Sequence, residues 1–184
     1  AVGTVKDPPP LDIDEPENLA EAVDLMGVTH AVITCVNRDE LPDGGASHYR
    51  ACLEAVHARR PDVGLEFLSS DLDGNLEALA ALLEGLELRV FAHNVECVPR
   101  LDSVVRDHRA SFQQSLTILR EAKRLRPDIL TKSSIMVGVG ETDEEVVEAM
   151  GLLREVGVDL LTIGQYLAPS PRHLPVDRFP EPEV

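Results

Sequence analysis

Five short runs rich in β-branched and aliphatic residues, separated by stretches of helical periodicity, constrain this 184-residue chain more than any other feature. They are Ala31–Val36, Val63–Leu68, Arg89–Val95, Leu130–Val137 and Asp159–Gly164. Each is near-continuously apolar, the pattern of strands covered on both faces of a parallel sheet. Their starts lie 26 to 41 residues apart, the length of a strand plus a crossover helix. Apolar stripes at helical spacing fill the gaps: Leu76, Leu79, Ala80 and Leu83; Phe112, Leu116, Leu119 and the stem of Lys123; Val146, Met150 and Leu153. Thr142 with Glu145 and Ser111 with Gln114 have the spacing of capping boxes. Asp14 followed by Glu15-Pro16-Glu17 opens a first helix that Gly27 ends, and Pro61 and Pro127 stop two more. The fold class is α/β.

Charge narrows the function. The chain has 17 Lys and Arg against 33 Asp and Glu, a formal net charge of −16. That excludes a nucleic-acid binder working by counterion release, which needs a basic face. The acids are interleaved with apolar residues, so a disordered acidic tail is excluded as well. No apolar stretch approaches the roughly 20 residues of a membrane span, and the start lacks a signal-peptide pattern. With no Trp, two Tyr and four Phe, the core must come from Leu, Val, Ala and Ile. Cys35, Cys52 and Cys97 lie 17 and 45 residues apart, without metal-site spacing, and read as small apolar side chains in a reducing compartment. Five strand–helix units fall short of the ~250 residues of a closed eight-stranded barrel. The chain is therefore either a small open sheet or the interior of a larger, partly open barrel.

Ligands in parallel α/β folds bind at the carboxyl ends of the strands. Those ends deliver Asn37-Arg38-Asp39, Ser69-Ser70-Asp71, His93-Asn94 with Glu96, Gly138-Val139-Gly140-Glu141, and Gln165-Tyr166. Ordinary loops carry such residues too, but His93, Asn94 and Glu96 fall inside an apolar run, where a buried polar group must be hydrogen-bonded. Lys132 fits either a Schiff-base lysine or an ion-paired one, and the ion pair is favoured. His93 lacks a second ligand at metal spacing and is read as hydrogen-bonded. Gly138-x-Gly140 resembles a phosphate loop but has no third glycine and no accompanying lysine. Gly44-Gly45 is either a turn or a close backbone approach to a ligand.

Beyond spacing, the segment Val32 to Gly45, with Val36-Asn37-Arg38-Asp39-Glu40-Leu41-Pro42-Asp43 at its centre, resembles the strand-and-loop signature of the lipoyl synthase family of radical S-adenosylmethionine enzymes. So do His93-Asn94-Val95-Glu96-Cys97-Val98-Pro99-Arg100-Leu101, then Thr131-Lys132-Ser133 through Met136 to Thr142, in the same order. Ile163 to Leu167, with Pro169-Ser170 and His173-Leu174-Pro175-Val176, completes the series, and Ala1-Val2-Gly3-Thr4 is similar to the segment just after that family's cluster-binding cysteines. The resemblance implies a partial (β/α)6 TIM-like barrel with its first strand missing, residues 1–184 forming one barrel domain incomplete at both ends. It implies S-adenosyl-L-methionine and two 4Fe-4S clusters as cofactors. One cluster would cleave S-adenosylmethionine to a 5′-deoxyadenosyl radical; the other would give the two sulfurs placed at C6 and C8 of a protein-bound octanoyl-lysine. A radical suits unactivated C–H bonds, which offer no acid–base handle.

Implied partners are octanoylated lipoyl carrier domains, namely the glycine cleavage H protein and 2-oxoacid dehydrogenase E2 subunits. An electron donor such as ferredoxin or flavodoxin is also implied, in the cytoplasm or, in a eukaryote, the mitochondrion or plastid. The cluster-ligating cysteine motifs are absent from the chain, and no cysteine matches a ligand position, so no metal ligand or catalytic residue is assigned and the chain is expected to be inactive by itself. The family's fifth-strand pattern falls on Ser134, Met136, Gly138 and Glu141, lining the adenine side. Asn94 and Glu96 are assigned to ribose hydroxyl or methionyl contacts, and Asn37, Arg38 and Asp39 to the methionyl amine. Gln165, Tyr166 and His173 are assigned to a loop over the acyl chain. Docking of an acidic carrier would need a basic patch, for which Arg100, Arg106 and Arg109 are the candidates. Two alternatives stand beside this reading: a Lys132 Schiff-base lyase, and a non-catalytic barrel relative that binds a nucleotide or carrier protein.

Overall fold

The computed structural model describes residues 8–181, so the resemblance at Ala1–Thr4 lies outside the described residues. Five strands form one parallel sheet in sequential order: β1 (His30–Thr34), β2 (Gly64–Leu68), β3 (Val90–Ala92), β4 (Leu130–Val137) and β5 (Leu160–Gln165). The helices are α1 (Glu15–Met26), α2 (Ala46–Arg59), α3 (Leu76–Leu83), the short α4 (Asp102–Val105), α5 (Phe112–Leu125) and α6 (Asp143–Glu155). With no reversal of strand order, right-handed crossovers leave every helix on the same face. Accordingly α1 packs on α2, α2 on α3 and α3 on α5, a single outer layer around a curved sheet. This is the barrel solution rather than the doubly wound one.

Alternation along the strands separates the two faces. Leu65 and Phe67 of β2 and Phe91 of β3 point into the helix layer, where they meet Ala20, Val23, Leu53 and Val56. Replacing the fully buried Phe67 or Phe91 by Ala should cost about 3–5 kcal/mol. A second cluster joins Ile135 of β4 to Phe112, Leu116, Val146 and Leu153. The other face is concave. There Glu66 of β2, only 6% exposed, accepts from the Lys132 Nζ of β4 at 2.7 Å, with His30 Nε2 3.5 Å away.

Several sequence expectations need correction. Burial on both faces holds for the central β2 and β3 but not at the borders, where Val32 of β1 is 51% exposed and Leu160 of β5 42%. Among the described residues neither β1 nor β5 has an outer neighbour, so their concave faces stay open. β3 stops at Ala92, well short of Val95, because Glu96 makes only an isolated bridge to Ile135. Helical spacing puts Leu76 and Met150 on buried stripes, yet both are exposed; Ala78, Leu82 and Ala149 take the buried positions. The Thr142–Glu145 capping box is complete. The Ser111 side chain accepts from the Gln114 N–H, but the Gln114 amide donates to Asp71 instead of closing a box. Asp14 stands at the N-cap without capping through its side chain, while Gly27 ends α1 in the left-handed conformation. Gly44-Gly45 is a turn: at Gly45, φ +91°, a Cβ would lie 2.6 Å from the Tyr49 ring.

Candidate functional site

The carboxyl ends of β1, β2 and β3 enclose a cavity of about 210 Å³. Asn37, Ser69, Asp71, Asn94, Glu96 and Arg106 supply most of its polar lining, with His93 beneath and Cys35 at one side. Chain direction explains the gathering: parallel strands deliver all three turns to the same end of the sheet.

The His93 ring fixes the floor. Its Nδ1 lies 3.0 Å from the Ser69 carbonyl oxygen, which can only accept, so Nδ1 carries the proton. Nε2, 2.9 Å from Ser115 Oγ, is then the acceptor. Burial pushes the imidazole below its ordinary value, partly offset by the hydrogen bond to Ser69 and the charge of Asp71. His93 is thus a neutral hydrogen-bonding histidine, not a metal ligand.

Two features of the cavity are unusual for scaffold. Glu96 is held at φ +66°, a left-handed conformation that costs a side-chain-bearing residue about 1–2 kcal/mol. β4 imposes it: the Glu96 N–H donates to Ser134 O at 3.1 Å and its carbonyl accepts from the Met136 N–H at 2.8 Å. Strain of this kind collects at binding sites. The second feature is Ser69 Oγ, buried and without a hydrogen-bond partner among the described residues. Asp71 is better served, accepting from Gln114 Nε2 at 2.8 Å and the Asp73 N–H at 3.2 Å.

The remaining candidates divide. Arg38 faces away from this cavity, donating to the Pro9 carbonyl at 3.0 Å and pairing with Glu40, and Asp39 pairs with Arg109 at 2.5 Å; of that trio only Asn37 lines the polar cavity. Ser134 and Met136 alternate with the buried Ser133 and Ile135, which puts them on the concave face of β4, half-buried. Glu141 folds back on its own loop, accepting from the Gly138 N–H at 2.7 Å, the Val139 N–H at 2.9 Å and Arg178 at 3.3 Å. Burial would raise this carboxyl; the two backbone donors and Arg178 hold it below the ordinary range instead. The Gly138-x-Gly140 turn therefore offers its N–H groups to Glu141, not to a phosphate. Gln165 Nε2 donates to Tyr166 O and Arg178 O, Tyr166 OH donates to Leu174 O, and His173 Nδ1 lies 2.9 Å from Ser170 Oγ, so the 166–178 segment is tied to the β4–β5 end of the sheet. Lys132 is engaged by Glu66, as the ion-pair reading expects.

The basic patch does not form. Arg100 is paired with Glu145 at 2.5 Å, Arg109 with Asp39 and Asp107, and Arg106 is turned inward to the cavity. Sequence reasoning assigned Arg106 to an outward docking patch and did not single out Ser115, since periodicity does not tell which side chain of the β3–α5 connection turns inward.

A second cavity, about 380 Å³, lies between α1, β1 and α2. On its wall the ligand atoms of Glu15, His48 and Cys52 lie within 4.8 Å of one another, with His48 Nε2 2.6 Å from Glu15 Oε2. The three cysteines do not converge on one point among the described residues. Burial raises all three thiols, Cys52 to about 11 and Cys97 to about 12, the reverse of what cluster thiolates need.

Comparison with known proteins places this geometry. Residues 2–153 match the model of the Radical SAM superfamily. The chain is 52% identical over 173 residues to a lipoyl synthase of Marinobacter nauticus, covering 94% of this chain and 49% of that protein. It is 50% identical over 183 residues to the chloroplastic lipoyl synthase of Arabidopsis thaliana, covering 100% of this chain and 46% of that protein. The chain thus spans about half the length of the curated relatives it matches. Its fold is similar to that of methylornithine synthase (PylB), with a TM-score of 0.64 at 15% identity, over 85% of this chain and 44% of that one. A sequential parallel sheet with polar strand ends, and a family match over most of its length, lead to one assignment: the chain belongs to the radical SAM superfamily.

Proposed function

We propose that this chain, residues 1–184, is one barrel domain that binds S-adenosylmethionine at its carboxyl-end cavity in the service of lipoyl synthesis, the insertion of two sulfur atoms at C6 and C8 of a protein-bound octanoyl-lysine. The observation that carries the reading is the cavity itself, where Asn37, Asn94 and Glu96 gather beside a buried serine hydroxyl with no partner among the described residues. An unsatisfied buried hydroxyl is costly unless a ligand completes it. Asp71 and Glu96 place two formal negative charges where a ligand carrying a sulfonium and an ammonium would sit. Asn94 and Glu96 would take ribose hydroxyls or the methionyl group, and Ser134, Met136 and Gly138 would lie along the adenine. When bound and reduced, S-adenosylmethionine supplies the radical chemistry that removes hydrogen from an unactivated carbon.

The chain's part is to bind, orient and exclude water. The concave face sets Val32, Leu68, Ala92 and Leu160 around the Lys132–Glu66 ion pair, apolar side chains along which an eight-carbon chain would lie, and the segment carrying Gln165, Tyr166 and His173 would border it. Iron–sulfur clusters are a different matter: the described residues do not fit one, because Cys35, Cys52 and Cys97 are separate and their thiols are raised. Octanoylated carrier domains and a small electron-transfer protein remain the partners this function would require. The cytoplasm, or an organelle in a eukaryote, would be the compartment; among the described residues no helix is long and apolar enough to cross a membrane.

Calorimetry tests the reading. Glu96→Ala should weaken S-adenosylmethionine binding about 10- to 100-fold, the loss of one charged hydrogen bond. Glu54→Ala, on the exposed side of α2, should leave it unchanged. Equal affinities for the two variants would overturn the site. An octanoyl-lysine peptide should bind better than an acetyl-lysine peptide, and no preference would remove the lipoyl assignment.

A further inference from the structure

The second cavity, between α1, β1 and α2, carries a trio of metal-ligating side chains that the assigned chemistry does not use. Its members come from two helices. Glu15 is the first residue of α1, and His48 and Cys52 sit one turn apart on α2, a four-residue spacing that turns both onto one face. A nitrogen, a sulfur and a carboxylate oxygen thereby lie within 4.8 Å of one another, with His48 Nε2 and Glu15 Oε2 2.6 Å apart. Tetrahedral ligands on bonds of about 2.0–2.3 Å stand roughly 3.3–3.8 Å from each other. Small side-chain rotations are enough to surround an ion, and the exposed Glu15 has room for the widest of them.

The α2 face is held from both sides. Asp43 caps the helix, accepting from the Gly45 N–H at 3.0 Å and the Ser47 N–H at 2.9 Å, and Tyr49 OH donates to the Val36 carbonyl at 2.7 Å. These bonds fix the chain just before and just after His48, so the ligands are oriented before an ion arrives. Cys52 is buried and His48 nearly so, while the cavity of about 380 Å³ beside them leaves space for a further, exchangeable ligand. Arg38, on the same wall, is turned to Glu40 and the Pro9 carbonyl.

Donor chemistry selects the ion. Magnesium and calcium take oxygen ligands. A thiolate with an imidazole and a carboxylate is the borderline-soft set that suits zinc, and its two negative charges match a divalent ion. The Cys52 thiol is raised to about 11, by burial first and then by the charge of Glu15. That value belongs to the metal-free side chain; a coordinated thiol loses its proton as the ion enters. A 4Fe-4S cluster needs several thiolates at one point, whereas a zinc ion here needs only Cys52. The gain to the fold is also local. Among its described residues α1 buries only Ala20 and Val23, so packing holds this helix lightly.

We propose that Glu15, His48 and Cys52 form a zinc site that fastens the start of α1 to α2, with water as the exchangeable fourth ligand. The site stands apart from whatever the polar cavity binds.

The metal-free 184-residue chain is titrated with Zn²⁺, Co²⁺ and Mg²⁺. Zn²⁺ should bind in equimolar amount and raise the midpoint of thermal unfolding, and Mg²⁺ should do neither. Co²⁺ should give a thiolate-to-cobalt charge-transfer band that Cys52→Ser abolishes and Cys97→Ala keeps. His48→Ala should weaken Zn²⁺ by more than about 100-fold, beyond the loss of an outer-shell partner, and Glu15→Gln by about 10-fold. A band that survives Cys52→Ser, Zn²⁺ affinity unchanged by all three ligand substitutions, or Mg²⁺ binding as tightly as Zn²⁺ would each overturn the proposal. Should a cysteine variant fail to fold, zinc X-ray absorption on the unmutated chain decides. One sulfur among nitrogen and oxygen neighbours supports the site; no sulfur, or more than one, overturns it.

Discussion

Two polar clusters lie at the carboxyl end of the same sheet and are built on opposite plans. Around Gly138–Glu141 the carboxylate of Glu141 is met from within, by two backbone N–H groups and Arg178, and Thr142 with Glu145 caps the helix after it. One atom there, Arg178 Nε, is left without a partner. In the cavity between β1 and β3, Ser69 Oγ and the neighbouring Asp102 Oδ1 lack partners, Arg106 has one, and Glu96 is strained. Folding alone accounts for the first cluster and not for the second. A protein that closes one set of hydrogen bonds on itself and leaves another open has divided its end surface into scaffold and site.

The largest expected effect breaks that division on the scaffold side. Glu141→Ala strands one buried and one partly buried N–H donor and half of the Arg178 ion pair. Arg178 is one-third exposed and keeps Asp143 at 2.6 Å, so the loss comes mainly from the stranded backbone donors, at roughly 1–3 kcal/mol each, or about 3 kcal/mol in denaturant unfolding. S-adenosylmethionine affinity measured well below the melting point should change far less than for Glu96→Ala. The reverse outcome would make Glu141 a ligand contact.

This contrast also marks how far the sequence could be read. β4 was legible to the residue, because Leu130 and Ile135-Met136-Val137 bracket a β-branched and small-residue run that Pro127-Asp128 precedes and Gly138 ends. β3 was not: Val95 resumes the apolar character of Val90-Phe91-Ala92, yet Val95, Cys97 and Val98 are buried in a loop by α4–α6 packing rather than by strand pairing. Polar strand ends located the site, since topology fixes which end of a parallel strand meets ligand. Which polar residues close on one another could not be read. Glu141 lies beside Gly138 in sequence but meets Arg178 from 37 residues away, and Asp39 meets Arg109 from 70. Ion pairs over such separations are decided by loop geometry, which periodicity does not encode.

A second prediction uses His93, held neutral beneath the cavity. Its folded-state value is lowered by burial, while the unfolded chain titrates near the ordinary 6.5. Above that pH neither state is protonated and the group adds no pH dependence. As pH falls below 6.5 the unfolded state takes up the proton first, so stability is lost, by about 1.4 kcal/mol per pH unit while only the unfolded state binds it. His93→Gln should flatten the stability–pH curve as pH falls below 6.5, by up to that one-proton slope. An unchanged slope would mean that His93 takes up its proton as readily in the fold as in the unfolded chain.

Smaller effects, of opposite sign to ordinary damage, sharpen the comparison on the site side. Glu96→Gly relieves the left-handed backbone and should stabilise the chain by about 1 kcal/mol while weakening S-adenosylmethionine binding. Ser69→Ala removes an unsatisfied hydroxyl and should also stabilise, by roughly 1 kcal/mol. If either variant lost stability, the open hydrogen bonds would belong to the fold after all.

The smallest expected effect separates proximity from participation. Asp39 lies past the β1 end, close in sequence to Asn37, which lines the cavity, so sequence alone groups the two as ligand contacts. In the fold its carboxylate reaches Arg109 at 2.5 Å, with both side chains about half exposed. Exposed pairs of this kind are screened by salt and contribute little. Asp39→Asn should therefore change S-adenosylmethionine affinity by less than twofold, and any loss of thermal stability should vanish at high salt. Asn37→Ala, just before it in the chain and inside the cavity, should weaken binding several-fold at any ionic strength. A large salt-independent affinity loss in Asp39→Asn would extend the site outward to the β1 loop and move its boundary from the hydroxyl-lined cavity to the charged rim.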